Sequence, residues 1–468
     1  MDLFRRKAVE LPEAGRQLAR TLSWPHLVAL GVGAIVGTGI LTLIGVGADR
    51  AGPAVIVSFG IAGAICACAA LCYAEMATMM PVSGSAYTYS YAVLGEVIAW
   101  VVGWSLLAEY TLVVATVAVG WSGYAVGFFG ALGVTLPDVL THGPNAAGWG
   151  INVPALAIVA AVAGLLTLGT KESANINALL VVVKMIALAV FVAVALPYFD
   201  PANLQPFSPF GFGKSAGPDG VERGVMAAAA IIFFAFYGFD AISTAAEEAK
   251  NPGRDLAIGI VGSMLACVAI YMIVAVAAVG SLPVARFGAS PEPLALILRE
   301  IDRPGVATFL AASAVIALPT VILAFLYGQS RIFFVMARDR LLPASLARVS
   351  SRGTPVRITL FTAAVVMLFA GFLPIDAIAA LANAGTLTAF TAVAVCMLVM
   401  RRRDPAITRP FRTPAPWLVG LGAIGGCLYL FASLPSRTQG WFLLWNVAGL
   451  AVYFAFARRQ REFADLSR

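Results

Sequence analysis

Charge is scarce in this chain. Asp, Glu, Lys and Arg make up 12% of its 468 residues, against roughly a quarter in a soluble domain. Histidine is scarcer: His26 and His142 are the only two. Neither has a metal-ligand partner nearby, so no metal site is expected and neither is assigned a role. The six cysteines (Cys66, Cys68, Cys72, Cys267, Cys396 and Cys427) all fall in apolar stretches with no CxxC spacing. They read as small buried hydrophobes, not as redox or metal ligands. No HExxH occurs, and Gly213–Lys214–Ser215 has Ser208 where a phosphate loop needs its first glycine. An intramembrane enzyme is therefore disfavoured, and no cofactor is expected. The first 24 residues hold three acids and no apolar core, so a cleavable signal is not expected there.

What abounds is apolar surface. Hydrophobic residues make up 60% of the chain, with mean hydropathy +0.89. This composition points to an all-α polytopic membrane protein. Twelve spans are expected, at about 27–48, 54–73, 94–126, 153–170, 175–197, 225–247, 256–280, 306–337, 357–373, 376–400, 415–434 and 440–457. The third and eighth are long enough to tilt or to extend into water. With the N-terminus inside, 23 of the 31 Lys and Arg fall in cytoplasmic segments, seven fall outside and Lys184 lies within a span. That bias places both termini in the cytoplasm of a cell bounded by its inner membrane. It also removes any reason to read the net charge of +7 as a nucleic-acid footprint. No loop is long enough for a separate domain.

One stretch stands apart, Gly31–Val32–Gly33–Ala34–Ile35–Val36–Gly37–Thr38–Gly39–Ile40. It places four glycines in nine positions of the first span. Glycine weakens a helix by about 1 kcal/mol relative to alanine. Backbone opened in lipid is tolerated only where it lines a polar cavity or is buried in protein. One reading is close helix packing, since Gly33 and Gly37 are four apart. The other is a break near Gly37–Gly39, giving two half-helices. The sixth span favours the second reading. It runs Phe233–Phe234–Ala235–Phe236–Tyr237–Gly238–Phe239–Asp240 and then turns polar, so it too is interrupted. It opens a second group of five spans as the first break opens the first group. An odd number of spans per unit forces the second unit to be inverted, and paired interruptions point to a midplane binding site. The expected layout is a cytoplasmic segment 1–24, a first five-helix repeat 25–200 and an inverted second repeat 201–400. Two extra helices and a cytoplasmic tail complete it over 401–468.

Several stretches together resemble the amino acid–polyamine–organocation transporters, most closely the bacterial branch similar to the cationic amino acid transporters. They are GVGAIVGTGIL at Gly31–Leu41, YAEMATMMPVSGSAYTYSY at Tyr73–Tyr91 and FFAFYGFDAISTAAEEAKNPGRD at Phe233–Asp255. GQSRIFFVMARDRLLP at Gly328–Pro343 and LANAGT at Leu381–Thr386 complete the set. Leu41, where the family often has phenylalanine, and Val36, where isoleucine is commoner, are small departures. The resemblance implies two inverted five-helix repeats with broken helices 1 and 6, plus two helices, working by alternating access.

The helix-end argument places a substrate carboxylate on the N–H groups near Gly37, Thr38, Gly39 and Ile40. The ammonium then falls on carbonyls at Ile35, Phe234, Ala235 and Tyr237, beside Gly238. The Thr38 hydroxyl either bonds the substrate or folds back on its own helix. Phe234 either gates the site or simply packs. Lys184 stands deep in an apolar run, where an ionisable side chain is a functional hypothesis by default. The resemblance implies that it takes the place of a sodium ion and couples transport to protons. The alternative is a permanently charged structural lysine. Glu109 is a second buried charge, serving a cationic substrate, the proton site or an internal network. Asp240, Glu247 and Glu248, with Lys250 and Arg254, are expected to form a cytoplasmic gate network.

The leading expectation is a permease importing a neutral or cationic amino acid by proton-coupled symport. An amino acid or amine exchanger of the same fold is the alternative, and a channel is a third class. Expected partners are the substrate and the lipid bilayer, with a small membrane subunit or a bound lipid as further candidates. Nucleic acid is not expected.

Overall fold

The computed structural model describes residues 5–6, 22–82, 84–144, 148–167, 174–246, 249–339, 341–343 and 356–457. Glu247 and Glu248, Lys171, segment 7–21 and the basic end 458–468 lie outside the described residues. The chain is mostly helical. It opens with α1 (Trp24–Ile35), α2 (Thr38–Leu41) and α3 (Leu43–Ala51), followed by α4 (Val55–Met79), α5 (Ser85–Val93), α6 (Glu96–Ala131), α7 (Val153–Thr167) and α8 (Ala174–Ala195). After a polar connection come α9 (Val225–Ile232), a 3-10 turn at Phe233–Phe236 and α10 (Phe239–Thr244). The remainder is α11 (Pro252–Ser281), α12 (Val284–Phe287), α13 (Pro293–Glu300), α14 (Pro304–Arg338), α15 (Val356–Phe372), α16 (Ile375–Arg403), α17 (Pro416–Ser433) and α18 (Ser436–Val452). Eight helical stretches among the described residues are long and apolar enough to cross a membrane. The spans expected at 94–126 and 306–337 are single helices of 36 and 35 residues.

Burial shows which elements are central. The apolar window of Val225–Ser243 is 94% buried, against 28% for α17. The α9–α10 region therefore sits inside the bundle, while α17 turns Trp417, Leu418, Leu421 and Leu428 outward. Around this core, α6 packs on α14 and α16, α1 on α11 and α8, and α4 on α11. One detail shows how the frame tolerates a proline. Pro319 stands inside α14 and has no N–H for the carbonyl four residues back. That carbonyl, Val315 O, accepts instead from the Trp121 indole N–H of α6 at 2.9 Å.

Two polar clasps tie the ends of the bundle. On one side, Arg50 in the last turn of α3 meets Asp376 in the first turn of α16 at 2.7 Å and donates to Glu222 O at 2.8 Å. Each charge also lies at the helix end that its sign favours. Nearby, strands β1 (Ser215–Ala216) and β2 (Glu222–Arg223) form a small hairpin. There the Arg223 guanidinium, hydrogen-bonded to Asp219, lowers that carboxyl to about 2.

The second clasp is at Glu75, near the end of α4. Its buried carboxylate takes two bonds from Arg401, at 2.7 and 2.6 Å, and one from the Thr413 N–H at 2.8 Å. Arg409 lies 3.3 Å away and also donates to Met400 O and Asp404 O. Removing one partner of a buried ion pair costs about 3–5 kcal/mol. Glu75→Gln is therefore expected to lower the thermal midpoint in detergent by several degrees. Arg402→Ala, at an exposed position, leaves it unchanged. Equal midpoints for the two variants would remove the clasp's structural role.

Candidate functional site

The first break follows from the glycines. α1 ends at Ile35, Val36 turns extended (φ −73°, ψ 99°), and Gly37 (φ −156°, ψ −145°) carries the chain to a new helix start at Thr38. The Val36 N–H still reaches Val32 O at 2.8 Å and closes the last regular turn. Beyond it, the carbonyls of Gly33, Ala34 and Ile35 lose the α-helical donors at residues 37–39. Side chains replace two of them. Lys184 Nζ donates to Gly33 O at 3.1 Å, and the Tyr271 hydroxyl donates to Ile35 O at 2.8 Å. On the far side, the first-turn N–H groups of Thr38, Gly39 and Ile40 have no preceding turn to pair with.

The second break answers the first. α9 tightens into the 3-10 turn, Tyr237 becomes extended (ψ 156°), and Gly238 adopts φ +113° before α10 begins. This left-handed conformation favours glycine. A Cβ on Gly238 would also lie 2.7 Å from the Ala34 carbonyl carbon, and one on Gly39 would lie 2.2 Å from Ala235 Cα. The two breaks are thus in backbone contact, and they touch because both positions lack side chains.

Between them lies a cavity. Ile35, Gly37, Thr38, Gly39, Phe234 and Tyr237 line it from the broken segments. Ile40, Ala235 and Gly238 are buried behind that lining. Val113 and Val117 of α6 and Val321 and Phe325 of α14 supply apolar walls. The Thr38 hydroxyl is buried, lies against Gly120 and has no hydrogen-bond partner. The reading in which it folds back on its own helix is thus not the arrangement found. Phe234 and Tyr237 meet in a tilted pair, 5.0 Å between ring centroids with their planes 46° apart, and both line the cavity. The lining brings the first-turn residues Thr38 and Gly39, with the unpartnered hydroxyl, together with Ile35, Phe234 and Tyr237 from the ends of the broken segments.

Lys184 is buried and borders a neighbouring cavity with Val36, Leu41, Ser313 and Leu318. Glu109 shares a face of α6 with Val113 and Val117 at four-residue spacing, but stands one turn away from the cavity lining. It adjoins Thr386 and Asp240, and its Oε2 has no partner.

Asp240 departs from the expected surface gate network. It is 3% exposed, in the first turn of α10, and accepts from nearby backbone N–H groups and the Tyr110 hydroxyl. A helix N-terminus holds a carboxylate inward, so Asp240 is drawn away from the exposed Lys250 and Arg254.

Some functional neighbours carry little sequence signal. Tyr271 is one aromatic among many in apolar helices. Asn383 is the one asparagine in α16, which marks it as unusual without revealing its partners. Its Nδ2 donates to Ala230 O at 2.6 Å and Ile231 O at 3.0 Å, and its Oδ1 accepts from the Tyr237 hydroxyl.

Comparison with known proteins agrees with this architecture. Residues 22–456 match the family model described as amino acid permease. The branched-chain amino acid permease BcaP of Bacillus subtilis is 42% identical over 470 residues, 98% of this chain and 99% of that protein. The methylthioribose transporter of the same organism is 39% identical over 464 residues, 98% of each chain. The vacuolar cationic amino acid transporter 2 of Arabidopsis thaliana is 38% identical over 414 residues, 86% of this chain and 64% of that protein. These relatives are named as permeases and transporters, not enzymes. With a family match that runs nearly end to end, this multi-pass membrane protein belongs to the amino acid permease family of the amino acid–polyamine–organocation superfamily.

Proposed function

We propose that the protein is a secondary active transporter that imports an amino acid together with a proton by alternating access. The convergence of the two helix breaks on one cavity carries this reading. Its chemistry suits a zwitterion. The carboxylate rests on the N–H groups of Thr38, Gly39 and Ile40 and on the unpartnered Thr38 hydroxyl. The ammonium rests on carbonyls of Ile35, Phe234, Ala235 and Tyr237. The Tyr271 bond leaves Ile35 O a second lone pair. Paired breaks also support an assignment of twelve spans in two inverted five-helix repeats, 25–200 and 201–400, followed by two helices over 401–468. Both ends then lie in the cytoplasm and the chain sits in the cytoplasmic membrane.

The lining favours a neutral, apolar side chain. A cationic substrate calls for an acid in the wall, and Glu109 stands one turn outside it. The name of the branched-chain amino acid permease points the same way. Lys184 is the coupling residue in this reading. Protonated, it holds Gly33 O through a charge-assisted bond, about twice as strong as a neutral one. Deprotonated, it loosens the end of α1 and frees the first half-helix to move.

Uptake into proteoliposomes without sodium tests this reading. An inward proton gradient should drive accumulation of a branched-chain amino acid by the wild type. Lys184→Met should bind or exchange the amino acid without concentrating it. If the gradient has no effect while preloaded amino acid drives rapid uptake, the protein is an exchanger and the symport reading falls. The contact between the breaks gives a second test. Gly39→Ala should abolish amino acid binding, because its Cβ meets Ala235 Cα. Gly60→Ala, whose nearest neighbour is the Met272 side chain at 3.9 Å, should bind as the wild type does. Normal binding by a folded Gly39→Ala protein would contradict the assigned site.

A further inference from the structure

Each broken helix is held by a polar side chain from a helix later in the chain. Lys184 of α8 holds the end of α1, and Asn383 of α16 holds the end of α9. The second arrangement follows from the pitch change at Phe233. In a continuous α-helix, Ala230 O and Ile231 O accept from the N–H groups of Phe234 and Ala235. Both residues belong instead to the 3-10 turn, whose bonds reach back three residues. The Asn383 amide stands where that register is lost. Its NH2 caps Ala230 O and Ile231 O, and its carbonyl oxygen receives the Tyr237 hydroxyl. One fully buried side chain therefore spans the break, gripping the last α-turn before it and the tyrosine after it.

We infer that Asn383 is a positioning residue for transport, fixing the unwound segment 233–238 and aiming Tyr237 into the substrate cavity. Neighbouring contacts show what this accomplishes. Tyr237 makes a tilted ring contact with Phe234 and, with it, walls the cavity. Its ring also meets Phe233 at 5.7 Å edge-on, so a displaced Tyr237 disturbs both sides of the turn. Thr386, one turn further along α16, adjoins both Tyr237 and Glu109. The same face of α16 thus links the cavity wall to the buried acid. The two anchors differ in chemistry. An amide has no proton to gain or lose near neutral pH, so the Asn383 anchor does not change with pH in that range.

The assignment of Tyr237 to a substrate wall rests on the transporter reading above, whereas the anchoring of segment 233–238 does not. Two measurements keep them separate. The first is hydrogen–deuterium exchange of the purified protein without substrate. Asn383→Ala should speed exchange in peptides covering 230–238 and leave those covering α14 unchanged. The second is uptake of branched-chain amino acids, normalised to folded protein. Losing a bond to a buried polar group should raise the apparent KM about tenfold in Asn383→Ala, with the maximal rate little changed. Tyr237→Phe removes only the hydroxyl and keeps the ring, so it should raise KM by a smaller factor. In Asn383→Ala the same tyrosine change should add nothing further. Unchanged exchange at 230–238 in a folded Asn383→Ala protein overturns the anchoring. Altered exchange with an unchanged KM overturns the positioning role. If the wild type takes up no amino acid while exchange responds as expected, the transporter reading fails and the anchor stands. Should Asn383→Ala not fold, Tyr237→Phe decides the positioning role through KM alone.

Discussion

A backbone carbonyl or N–H inside a membrane must find a partner within the protein, because no water is there to supply one. Everything central in this molecule follows from breaking two helices under that constraint. The first break strands carbonyls that Lys184 and Tyr271 then occupy. At the second, where the helix tightens, Asn383 donates to two carbonyls of the last α-turn. Residues of both breaks line one cavity, and the breaks touch at Gly39 and Gly238, where a side chain would clash. The long helices α6 and α14 act as the frame for these segments. Even their irregularity at Pro319 is compensated, by an indole from the neighbouring helix.

The broken segments were legible in the sequence because their cause is local. Four glycines in nine positions weaken α1 regardless of surroundings, and Gly238 marks the second interruption by the same logic. Lys184 was legible as well, since a lone cation in an apolar run has no cheap explanation. The partners were not legible. Asn383 and Tyr271 act across more than 150 residues of chain, and no periodicity encodes which carbonyl a distant side chain meets. Asp240 shows the opposite failure. Its sequence neighbours are charged, which suggested a surface network, but the start of α10 and the Tyr110 hydroxyl hold it inside. The helical boundaries were read to within a few residues, except where α4 continues to Met79 and α6 to Ala131.

This division of labour suits a family whose members are named for amino acids as different as branched-chain and cationic ones. The backbone ends form one part of the cavity, and the side chains at Val113, Val117, Val321 and Phe325 form another. In the proposed site the backbone recognises what all α-amino acids share, and the walls choose among side chains. Those wall positions sit on continuous helices, where one side chain can change without disturbing either break. The geometry that binds is thereby separated from the surface that selects.

The most direct measurement is an experimental structure of the protein with a branched-chain amino acid bound. The account predicts its carboxylate within hydrogen-bonding distance of the N–H groups of Thr38, Gly39 and Ile40, its ammonium toward the carbonyls of Ile35 and Phe234, and its side chain against Val113, Val117 and Phe325. An amino acid bound away from the two breaks, or between them with carboxylate and ammonium exchanged, would contradict it.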